Sequence, residues 1–261
     1  MPTIETQADV AGALQVPECF AWPALIAEPF LHQMTRRLHL RDVTTDGQPR
    51  YEMRHPTSGE PTGAVQVFDG EGLQAAVLST ATTPMLKMWQ FVAFAPPESA
   101  VPHLSFDAKA NPGGCWFSID LIPRAACTEE AAWTRHVYEP LSELVWNMHE
   151  RADMRQSLLR ARHRMGLSPW VISMRIDDAS GVDAALDAVT QVADHFCNLV
   201  RDGIPDAALP ALTPQQLAAR DARERQLLYS WEATANYRFL AMIGGDESVD
   251  AVQQTLRHPL A

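Results

Sequence analysis

Cysteine is scarce. The chain has four, Cys19, Cys115, Cys127 and Cys197, and no two form a CxxC pair. Neither a zinc knuckle nor a disulfide framework is therefore expected, and free thiols in a reducing cytoplasm are the simplest reading. No run of about 18 apolar residues occurs, so no membrane-spanning helix is expected. The opening MPTIETQADVAGALQ holds two acids and no basic residue, unlike a secretory signal or an Arg-rich transit peptide. Positive charge is also short: 21 Lys and Arg face 32 Asp and Glu, a net of -11, which speaks against general nucleic-acid binding. No GxGxxG follows a strand, no Walker loop, HExxH or GxSxG is present, and no His pair has metal-ligand spacing. An enzyme built on this chain would work without a fingerprinted nucleotide.

What is present suits a globular core: 46% hydrophobic and 20% charged residues in a chain of 261. Residues 1–20 read as a weakly ordered arm and 21–261 as one domain, with no linker or internal repeat between. WPALIAEPFLHQMTRRLHL (22–40) has helical spacing, with Pro29 placed to break or restart it. Six short apolar segments follow, at 50–55, 64–68, 73–79, 85–94, 103–108 and 115–122, separated by Asp-Gly, Pro-Pro and Pro-Gly-Gly. Strands this close, joined by turn residues, predict an antiparallel meander, because parallel strands need helix-length crossovers.

After Pro123 the spacing turns helical over 128–165, with Pro140 expected to kink or divide the helix. SPWVISMRI (168–176) reads as one more strand. GVDAALDAVTQVADHFCNLVRDG (181–203) is amphipathic and ends on a stop glycine. A Thr N-cap and a following Pro open a helix over 212–245, and SVDAVQQTLRHPL forms a short last one. The class is α+β, a central antiparallel sheet flanked by helices.

The segment 89–124, WQFVAFAPPESAVPHLSFDAKANPGGCWFSIDLIPR, resembles the central hairpin of the ferredoxin-dependent bilin reductases and of red chlorophyll catabolite reductase. The matching positions are Val101-Pro102, Asp107, Pro112-Gly113-Gly114 and Asp120-Leu121-Ile122-Pro123. The strand from Trp170 to Arg175 and the helix EATANYRFLAMIGG (232–245) are similar as well. The resemblance implies a three-layer α/β/α sandwich that reduces a linear tetrapyrrole, biliverdin or a chlorophyll catabolite, in successive one-electron, radical steps. Electrons would come from reduced ferredoxin, with no bound flavin or nicotinamide. The substrate would lie between the sheet and the C-terminal helices.

The same resemblance assigns roles to residues. Asp107 stands where the family has its central proton-donating acid; a turn aspartate serving the hairpin is the plainer reading. Asp120 reads as a structural aspartate bonding backbone at the strand end. Gln90 stands where one branch has a histidine partner for that acid. An amide can orient a substrate lactam but cannot supply a proton. Arg175 matches an arginine that grips a substrate propionate, against an ordinary exposed strand arginine. Glu232 aligns with a second acid, unless the register slips by two onto Thr234, and Asn236 is a polar neighbour. Trp89, Phe106 and Trp116 are candidates to wall a flat ligand, or are core. RADMRQSLLRARHR (151–164) sets five arginines against one aspartate, a docking surface for acidic ferredoxin or a solvated helix face. Two alternatives stay open: a bilin-binding protein without catalysis, and a same-fold oxidoreductase acting on another metabolite.

Overall fold

The computed structural model describes residues 18–43, 50–157, 164–230 and 236–260. The first helix, α1, runs unbroken over Trp22–Leu38 despite Pro29. Pro29 lies on the exposed side of α1. The carbonyl it leaves without a helical donor is that of Leu25, whose side chain also faces water.

Nine strands follow among the described residues: β1 (Arg41–Asp42), β2 (Tyr51–Arg54), β3 (Pro61–Asp69), β4 (Ala75–Thr83), β5 (Leu86–Phe94), β6 (His103–Asn111), β7 (Gly114–Ile122), β8 (Met154–Gln156) and β9 (Ile172–Ile176). They form one sheet in the order β1-β3-β4-β5-β6-β7-β9-β8, with β2 also pairing with β3. Each pairing is antiparallel. The antiparallel meander is thus present, and its turns are the Gly- and Pro-containing ones.

The helical reading of 128–165 needs correction. Pro140 divides it as expected, into α2 (Ala131–Val137) and α3 (Ser142–His149) with a 3₁₀ turn between. Beyond His149, however, Met154–Gln156 is the edge strand β8, not helix. Pairing with β9 decides the matter: Met154 is buried opposite Ile176, and Arg155 binds Asp177 through both carboxylate oxygens at 2.6 and 2.7 Å. A helix there would forfeit both gains.

The helix α4 (Ser180–Asp202) follows, ended by Gly203 at φ 73. Next comes α5 (Pro214–Leu228), opened by a capping box in which Thr213 and Gln216 each accept the other's backbone N–H. The helix expected over 212–245 is two helices, α5 and α6 (Asn236–Arg257), and Gly245 at φ 77 kinks the second.

The sheet has two covered faces. On face A, α1 crosses β5, β6 and β7 and packs along α4. Phe30 of α1 meets Phe91 edge-on at 5.4 Å and Phe106 at 4.4 Å. Burial of each such ring contributes about 1.5–3 kcal/mol. On face B, α6 packs on β2, β3 and β4. Its Tyr237, Leu240 and Val252 share a core with Val65, Val77 and Val92.

Candidate functional site

Side chains alternate between faces along each strand, so register decides what meets what. On β6, Leu104, Phe106, Ala108 and Ala110 join the face A core, which sends Ser105, Asp107 and Lys109 to face B. The pairings then run straight across the sheet: Ser79 opposite Gln90, Gln90 opposite Asp107, Asp107 opposite Ser118, Ser118 opposite Ser173. Five polar side chains thus form one row over five strands. At about 4.8 Å per strand the row spans roughly 19 Å. A second row, one step along, holds Met88, Lys109, Trp116, Arg175 and Arg155. A polar row lies beside a row rich in positive charge.

The hairpin that aims this pattern is built from its turn. Pro112 and Gly113 form the two-residue loop, and Asn111 Oδ1 accepts the Gly113 N–H at 2.8 Å. Gly114 has φ 139, and a Cβ there would stand 3.1 Å from Arg175 Nε. Glycine at 114 therefore lets the hairpin end lie against the guanidinium.

The five central groups differ in how well they are satisfied. Lys109 donates to Asp107 at 3.0 Å, and both side chains are largely buried. Ser79 Oγ and Gln90 Oε1 are buried and have no hydrogen-bond partner among the described residues. Arg175 approaches Asp177 at 3.3 Å, but Asp177 is already held through both oxygens by Arg155. Two guanidiniums share one carboxylate, so Arg175 keeps capacity for another. Its Cζ also lies 5.6 Å from the centre of the Trp116 ring.

Of the residues singled out from the sequence, Asp107, Gln90, Trp116 and Arg175 share face B. Trp89 and Phe106 do not. Both lie on face A, Phe106 wholly buried against Phe30 and Trp89 packed on the same core. The correction follows from the period of two: a residue beside Asp107 in the strand points the opposite way. Glu232 lies outside the described residues, as does the side chain of Asn236, which begins α6.

Asp120 also points to face B, opposite Ser105. It is buried and accepts both the backbone N–H of Ser168, at 2.8 Å, and its hydroxyl. Burial pushes its carboxyl up to about 7 against those two hydrogen bonds. Its role is to tie the approach to β9 onto β7. In the Arg-rich segment, Arg151 binds Asp153 at 2.8 Å and Arg155 binds Asp177, so part of the apparent excess charge is matched. Residues 158–163 of that segment lie outside the described residues.

Sequence reasoning missed a buried charged network at the start of β6. His103 Nδ1 accepts the Ala95 N–H at 3.0 Å, which leaves Nε2 to carry the proton and donate to Asp221 at 2.6 Å. Arg124 binds the same carboxylate and the Pro97 carbonyl, and Arg225 meets Asp221 Oδ2 at 2.9 Å. Burial lowers His103 to about 4, keeping it neutral. Burial works to raise Asp221, yet the bond from His103 and the charges of Arg124 and Arg225 outweigh it and hold the carboxyl below its usual range. The network pins α5 to the sheet. Its one visible signal was Arg124 at the end of DLIPR, a charge following an apolar strand.

Among the described residues no group of three or more His, Cys, Asp or Glu side chains is arranged to hold a metal ion, and no helix is long and apolar enough to cross a membrane.

No family model and no curated protein matches the chain in sequence. Its fold, however, is similar to that of tomato phytochromobilin synthase, solved in complex with biliverdin: TM-score 0.66, 14% identity, covering 88% of this chain and 81% of the other. The architecture is therefore an antiparallel sheet sandwiched by helices, of the kind seen in that synthase.

Proposed function

We propose that this protein is a reductase of an open-chain tetrapyrrole, of biliverdin or chlorophyll-catabolite type, in which Asp107 delivers protons. The observation that carries the reading is the pair of rows on face B. A linear tetrapyrrole is an extended chain of N–H and C=O groups with two carboxylates along one edge. A polar row of about 19 Å beside a cationic row complements both features. Arg175, with a shared acid partner and an indole beside it, is suited to take a propionate. Ser79 and Gln90 offer buried polar atoms that a lactam would satisfy. The fold likeness to a protein crystallised with biliverdin supports the same reading.

Reduction of one C=C bond takes two electrons and two protons. Electrons would arrive singly from a reduced ferredoxin-type iron–sulfur donor, and no flavin or nicotinamide is invoked. Asp107 would protonate the pyrrole system as each electron enters.

The test is an anaerobic assay with reduced ferredoxin and biliverdin, or a red chlorophyll catabolite, followed by absorption. The expected result is loss of the substrate band and growth of a shorter-conjugation product. Asp107→Asn should bind the pigment but not convert it. Unchanged spectra with every linear tetrapyrrole tried would refute the reading; a shifted pigment band without conversion in both wild type and Asp107→Asn would make it a carrier instead.

A further inference from the structure

We propose that the protein has a second ligand site, for a small organic anion, in a cavity between α5 and the C-terminal end of α6; the proposal does not rest on the reductase reading. The cavity has a volume of about 350 Å³, inside the range of about 300–1,000 Å³ typical of small-molecule sites. Its polar lining is Gln74, Asp221, Arg225, Gln226, Arg257 and His258. Gln74 precedes Ser79 by five residues, about 16 Å along an extended chain, so the cavity lies apart from the polar row of face B.

The lining offers donors and little free acceptor. Its one carboxylate, Asp221, already takes the His103 N–H, the Arg124 guanidinium and, at 2.9 Å, Arg225. The other acid of α5, Glu224, binds Arg220 at 2.6 Å. Arg225 is 5% exposed and lies over Phe94, 4.1 Å from the ring centre. It donates from Nη2 to Gln74 Oε1 at 2.6 Å, which leaves the Gln74 NH2 group to donate in turn. Arg257 binds no acid among the described residues. Its Nη2 goes to the Tyr229 carbonyl at 2.9 Å, and its Nε is buried with no hydrogen-bond partner. Arg124, Arg225 and Arg257 thus set three positive charges against the one negative charge of Asp221. A guanidinium nitrogen shut from water without a partner is costly, and an anion in the cavity would offset that cost. The flat fork of a guanidinium matches the paired oxygens of a carboxylate or a phosphate. The volume leaves room for a short organic body beyond the oxyanion. Arg257 also stands in the last turn of α6, where positive charge offsets the partial negative charge of the helix end. That role alone requires no ligand.

The test is titration of the full chain, at constant ionic strength, with inorganic phosphate, glycerol phosphate and succinate, read by isothermal calorimetry and by melting temperature. Saturable binding of at least one is expected. Tighter binding of glycerol phosphate than of succinate assigns a phosphate head; the reverse assigns a carboxylate. Arg257→Gln should weaken the binding about 10- to 100-fold, the value of one charged hydrogen-bonded contact. Gln226→Glu, at an exposed position, brings a negative charge to the cavity wall without touching the Asp221 network, and should weaken it at least about tenfold. Melts without ligand confirm that each variant folds. No saturable binding of any of the three anions, or unchanged affinity in either folded variant, would overturn the site and leave Arg257 to its helix end. Biliverdin at saturation should not displace the anion. Displacement would mean that a propionate reaches the same arginines, and would overturn a separate site. If biliverdin does not bind, the reductase reading fails while the anion titrations still decide this one.

Discussion

Two polar clusters sit on the same face of the same strand, a few residues apart, and they are built on opposite principles. At the start of β6, His103, Arg124, Asp221 and Arg225 are each at most 5% exposed and bind one another. At its middle, Asp107 and Lys109 keep some access to water, while Ser79 and Gln90 hold buried atoms with no partner among the described residues. Buried polar atoms without partners each cost about 1–3 kcal/mol. A chain accepts that cost where a visitor supplies the missing partner. The closed cluster fixes α5; the open one is where the proposed function places the ligand.

The largest effect expected on this contrast is at Asp221. Asp221→Ala leaves Arg124 and Arg225 buried together without their carboxylate, and should cost about 3–5 kcal/mol in a urea melt. Second is Asp120. Its carboxyl, raised to about 7, holds more protons folded than unfolded between the ordinary carboxylate range and that value. Stability from this group is therefore present at low pH and lost as pH rises towards 7, by a few kcal/mol in order of magnitude. Melting temperatures of wild type and Asp120→Asn across that range should diverge, the variant showing the flatter profile.

Third, Arg175→Gln should leave stability within about 0.5 kcal/mol but weaken biliverdin about 10- to 100-fold in an absorption titration, the value of one charged hydrogen-bonded contact. Smallest is Ser79→Ala. It removes an orphaned hydroxyl, so the free protein should gain up to about 1 kcal/mol while binding weakens. A loss of stability at Ser79 would mean that its hydroxyl is satisfied in the free protein, and the open cluster would be less open than described.

Much of the frame was readable from local chemistry. The Pro112-Gly113-Gly114 turn, the meander, the Thr213 cap and the Gly203 stop all depend on residues adjacent in sequence, and each appears where expected. The strand β8 was not readable, because its helical-looking residues become strand only by pairing with β9, some twenty residues on. The His103–Asp221 bond joins residues 118 apart, beyond any local pattern. Trp89 and Phe106 are different: the alternation that sends them to face A was present in the sequence. Aromatic character alone drew them towards the site.

That alternation has a consequence for how such a chain can change over time. On β6 the residues of the face A core and the polar residues of face B interleave one by one, Leu104, Phe106 and Ala108 against Ser105, Asp107 and Lys109. Substitutions at alternate positions rewrite what the face can bind while the packing on the other side stays intact. Replacing Ser105 or Lys109 is a small, self-contained edit that alters face B and spares the packing on face A.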